Sequence, residues 1–91
     1  MEDDSAEMSA ISSHVARVRL LFPKKGEAVS ELALLNEAFR SLCEDYGLAT
    51  ETLRQLELQN RPQDVEKIRE YRQLLQELER ELRATFDSWA H

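Results

Sequence analysis

The chain has 91 residues, a formal net charge of −6, 42% hydrophobic and 33% charged residues, and one cysteine. That length bounds the fold to a single domain with a modest core, and a lone cysteine excludes an internal disulfide. The acidic balance argues against a general nucleic-acid binder, which displaces phosphate counterions with Lys and Arg, and high charge with few Gly and Pro favours long helices over a many-turned sheet.

Residues 1–10 carry Glu2, Asp3, Asp4 and Glu7 without an apolar cluster and read as a disordered acidic tail. They hold no signal-peptide core, and no apolar run approaches the roughly 20 residues of a bilayer span. With one free thiol, the expected compartment is the cytoplasm. Residues 11–91 are expected to form one helical domain. Ile11, Val15, Val18 and Phe22 recur at spacings of four, three and four, one face of a short helix over 11–22. Ser9, Ser12 and Ser13 offer N-caps, and Pro23 and Gly26 punctuate the chain around Lys24 and Lys25.

A long helix is expected over 27–58. Leu32, Leu35, Phe39, Leu42, Tyr46, Ala49, Leu53 and Leu56 alternate steps of three and four, the 3.5-residue period of a coiled-coil-like seam. Asn36 is a good N-cap, so the chain can kink or restart near 36. Gly47 costs about 1 kcal/mol against alanine within a helix; it marks either a close neighbouring backbone or a soft point. Residues 58–64, LQNRPQD, form a turn, in which Asn60 can cap and Pro62 suits a first helical turn. A second long helix is expected over 62–88, with Asp64 and Glu66 favouring its N-terminus. Its seam comprises Ile68, Leu75, Leu82 and Trp89, with Tyr71 and Leu78 in the matching column. Pairs such as Glu66 with Arg69 and Glu79 with Arg83 read as a solvated face.

These elements predict an all-α fold: an antiparallel helical hairpin with coiled-coil-like seams plus a short N-terminal helix. Each arm of about 25 residues would span roughly 37 Å. A two-helix hairpin covers each seam on one side only, leaving Leu74, Phe86 and Trp89 to seek cover from the 11–22 segment, a second copy, or both. Both are expected, with a homodimeric four-helix arrangement as the simplest closed solution.

The run LFPKKGEAVSELALLNEAFRSLCEDYGLATETLRQLE resembles the YdcH-type small bacterial helical-hairpin proteins of unknown function. The matching residues are Phe22, Pro23, Val29, Leu32, Asn36, Phe39, Leu42, Tyr46, Leu53 and Glu57, and the resemblance covers roughly residues 21–83. Tyr46 stands where that family usually has histidine, and the second helix here is balanced to acidic rather than lysine-rich. The resemblance implies a helical hairpin of coiled-coil character and no activity.

Cys43 lies beside the Phe39–Leu42–Tyr46 seam among Glu37, Glu44 and Asp45. Acidic surroundings raise a thiol pKa rather than lower it, so Cys43 reads as a small packed residue, not a reactive or metal-binding thiol. Glu44 and Asp45 are adjacent, about 100° apart on a helix, and do not converge as an acid/base pair; Glu77, Glu79 and Glu81 read as solvated face. His14 and His91 have no partner at metal-ligand spacing. No catalytic residue, cofactor or metal is therefore expected. Arg17, Arg19, Lys24 and Lys25 flank apolar residues and form a candidate docking patch for a partner groove or an anionic membrane surface; a third helix folded onto the hairpin is the favoured reading of this segment. The expected function is a non-enzymatic protein–protein interaction or self-association module, a homodimer with an unidentified protein partner and no nucleic acid. The alternative is a peripheral membrane or nucleoid-associated adaptor using the basic amphipathic segment 14–25, with membrane contact the lesser prospect.

Overall fold

The structure, a computed structural model, describes residues 13–90. They are all-α: four helices and one 3-10 turn, with no strand among the described residues. The acidic tail expected at 1–10 lies outside the described residues, as do Ile11 and His91.

Helix α1 covers 13–19. It tightens at its end, where Leu21 N–H bonds Val18 O at 2.9 Å and Phe22 N–H bonds Arg19 O at 3.0 Å. Pro23 has no N–H to continue the ladder, and a turn closed by Lys25 N–H on Phe22 O at 2.9 Å leads into α2 (Gly26–Leu35). Asn36 then adopts extended backbone, φ −125 and ψ 110, and stops α2. The same residue starts α3 (Glu37–Gln59), its Oδ1 accepting from Phe39 N–H at 2.9 Å. Arg40 Nη1 reaches back to Ala33 O at 3.1 Å, satisfying a carbonyl near the end of α2.

The helix expected over 27–58 is thus two helices meeting at an elbow. Leu35, placed in the seam by the heptad pattern, is 70% exposed. A 3.5-residue period keeps one face only along a continuous helix, and the extended Asn36 breaks that continuity.

Asn60 ends α3 in the left-handed region, φ 48 and ψ 47, which asparagine tolerates. Pro62–Asp64 forms a 3-10 turn before α4 (Val65–Ala90). Asp64 is buried in that turn and accepts from Arg61 Nε at 2.8 Å. Helices α3 and α4 form the hairpin.

The main core lies at the hairpin's open end. There α1, α2, the first half of α3 and the last half of α4 enclose Val18, Val29, Leu32, Phe39, Cys43, Leu82 and Phe86. The Phe22 and Phe86 rings meet at 4.7 Å. Towards the tip only α3 and α4 remain, joined by buried Ala49, Leu56 and Leu78 and half-buried Leu53, Ile68, Tyr71 and Leu75. Leu42 and Tyr46 are half-buried, whereas Cys43 and Gly47 are buried. Helix α3 has a neighbour on each of two flanks, so its buried arc turns towards α1. Trp89 is 39% exposed, its ring 5.9 Å from that of Phe86. It flanks the seam that Phe86, outside the heptad columns, fills.

Candidate functional site

Gly47 is where α1 meets α3. A Cβ built on Gly47 would lie 2.7 Å from His14 Cγ, so the missing side chain makes room for the imidazole. His14 Nδ1 is buried without a hydrogen-bond partner among the described residues. One turn along α1, Arg17 Nη1 donates to Gly47 O at 3.1 Å and lies 3.9 Å from Glu51 Oε1. Of the four residues of the expected docking patch, Arg17 is thus engaged in holding α1 on α3. Arg19, Lys24 and Lys25 remain exposed.

Lys24 and Lys25 instead converge with Arg83 of α4. Together with Asp87 they rim a cleft of about 330 Å³ beside Leu21, Phe22 and Pro23. Lys25 Nζ stands 5.7 Å from the centroid of the Phe86 ring, and the Arg83 guanidinium 5.3 Å from that of Phe22. Both cations are thereby oriented by the ring faces of one aromatic pair. Heptad reading cannot find Arg83 here, because the cleft joins residues far apart in the chain, Leu21 to Lys25 with Arg83 and Asp87.

The hairpin flank away from α1 carries a second surface. A groove of about 310 Å³ runs between α3 and α4, lined by Leu48, Ala49, Thr52, Tyr71, Leu74 and Leu78, with Asp45 at its edge. Leu48 is 54% and Leu74 40% exposed. Sequence reading placed Leu74 beside the seam and missed Leu48, which falls outside both heptad columns.

Cys43 is fully buried, and desolvation, with a smaller contribution from Glu44, pushes its pKa up to about 12. Such a thiol is neither nucleophile nor ready metal ligand at ordinary pH. Glu44 and Asp45 are both exposed and diverge. Burial raises the Tyr46 pKa, reinforced by Glu79 and opposed by Arg17 and Arg83. Among the described residues no group of His, Cys, Asp and Glu could hold a metal ion, and no helix is long and apolar enough to cross a membrane. Compared with family models, curated proteins and solved structures, the chain matches none of them.

Proposed function

We infer that this chain is a non-enzymatic, cytoplasmic helical interaction module that self-associates through the open flank of its hairpin. The observation that carries this reading is asymmetric cover: α1 closes one flank of α3, while the other leaves Leu48 and Leu74 exposed along a groove. Exposed large side chains gathered in a groove mark interaction surfaces more often than scattered ones do. The sealed Cys43 supports a non-enzymatic role, and the resemblance to YdcH-type hairpins is in keeping with it. Sedimentation equilibrium tests the reading. The expected result is a weight-average mass that rises with concentration and falls back towards the monomer in Leu48→Lys. A monomer at every concentration overturns it.

The convergence of Lys24, Lys25 and Arg83 favours a second reading, docking to an anionic membrane surface. Co-sedimentation with anionic vesicles, lost in Lys24→Gln/Lys25→Gln, would support it; absence of binding to vesicles of any charge removes it.

A further inference from the structure

The groove of the hairpin is edged with acid. Asp45 lines it directly. On α4, Glu70, Glu77 and Glu81 stand four before, three after and seven after Leu74, hence on its side of the helix, and all three are exposed. None of these four carboxylates joins an ion pair among the described residues. Lys67, seven before Leu74, is the single base in that file.

The opposite chemistry lies on α1 and the turn that follows it. From residue 13 to 25 the sequence contains Arg17, Arg19, Lys24 and Lys25 and no acidic residue. With Arg17 turned to α3, Arg19, Lys24 and Lys25 are exposed, and so is Leu20 in the same segment, at 79% the most exposed of the large hydrophobics. Glu27 is the one acid lining the surface shared by Arg19, Lys24 and Lys25, which stays net positive. The molecule therefore carries a basic ridge with an apolar knob and an acidic groove with an apolar floor.

We propose that the occupant of the groove is the basic ridge formed by the end of α1 and the turn after it in a second copy of this chain, with Leu20 seated between Leu48 and Leu74. The proposal rests on the self-association inferred above and specifies its geometry. A two-fold pairing of groove with groove would set Asp45, Glu70, Glu77 and Glu81 against their own copies, and like charges across an interface repel. Ridge and groove also lie on different flanks of α3: Gly47 sits under α1 and Thr52 lines the groove, roughly 140° apart around the helix. One closed pair cannot satisfy both surfaces, so the contact is heterologous and propagates head to tail.

Sedimentation velocity on the full chain and two single variants at exposed sites, Leu20→Glu (ridge) and Leu48→Lys (groove), tests this. The wild-type chain is expected to grow beyond a dimer as concentration rises and to weaken with added salt, since opposite charges are being screened. Each variant alone is expected to associate at least about tenfold more weakly. Mixed in equal amounts, they should form a one-to-one pair and nothing larger, because each contributes the surface the other lacks. That recovery also shows that both variants are folded. A wild-type species that stops at a dimer and tightens with salt overturns the head-to-tail contact and leaves self-association standing. Variants that associate as well as wild type, or that stay apart when mixed, also overturn it. A wild-type monomer at every concentration overturns both.

Discussion

At Gly47 local preference and packing oppose each other. Glycine inside α3 costs about 1 kcal/mol of helix propensity relative to alanine, yet any Cβ there would lie within 3.1 Å of His14 Cβ and closer still to the ring. Gly47→Ala is therefore expected to destabilise the protein by about 1–3 kcal/mol, as overpacking does, despite the better helix former. In a His14→Ala background most of that penalty should disappear, because the ring is gone and only the 3.1 Å contact with the residue 14 Cβ remains. Urea unfolding of the four members of that double-mutant cycle measures the coupling; additive effects would mean that α1 does not rest on Gly47. Four residues earlier, Cys43 makes a prediction about pH. Its folded pKa of about 12 lies above the ordinary 9.0, so above pH 9 the unfolded chain releases a proton that the native chain keeps. Tyr46 shifts in the same direction. Stability should be fully present below about pH 9 and decline as pH climbs towards 12. Urea midpoints across the alkaline range should fall less steeply in Cys43→Ala than in wild type. An unchanged slope would acquit the thiol.

At the scale of the element, the elbow at Asn36 decides which residues meet. It ends α2, caps α3 and, with Arg40 tied to Ala33 O, sets the angle at which Leu32 and Phe39 enter the same core. Asn36→Ala removes the acceptor for Phe39 N–H and should cost about 1 kcal/mol, whereas Asn36→Asp should retain most of that stability; thermal melts distinguish them. The hairpin itself was readable from the sequence, because Ile68, Leu75 and Leu82 form an unbroken column along α4 and Asn60 and Pro62 punctuate the turn. The register of α3 was not. A heptad column assumes one partner on one side, and it follows large apolar side chains. Here α3 has two partners, and the positions that admit the second, Cys43 and Gly47, are small. Arg17 stands apart for a related reason: spacing grouped it with Arg19, Lys24 and Lys25, but only the packed structure shows which arginine turns inward. Leu48 escaped because nothing in its local spacing separates a groove wall from a solvated surface.

Across the whole molecule, cover is uneven, and local stability should follow it. The open end has a core of four helices around Phe39, Leu82 and Phe86. The tip has two helices, and apart from the part-buried Arg61–Asp64 pair its polar ties are exposed, such as Arg72 Nη2 to Glu57 Oε2 at 2.7 Å, worth a few tenths of a kcal/mol. Leu58 and Val65, on either side of the turn, are 71% and 56% exposed. Few buried apolar contacts and solvated backbone bonds lower the free energy of local opening. Amides near the tip, Leu53 to Tyr71, are therefore expected to exchange with solvent through local opening, at rates set by less than the global stability. Those of Phe39 to Tyr46 and of Leu78 to Phe86 should exchange only on global unfolding. Val18→Ala, which hollows the contact of α1 with the core, should cost about 1–3 kcal/mol. It should accelerate the core amides by the corresponding factor while leaving the tip nearly unchanged. Native-state hydrogen exchange on both chains reads the gradient and its response together. Equal protection at tip and core, or equal acceleration of both by Val18→Ala, would mean that the chain opens as one unit and that α1 does not divide it.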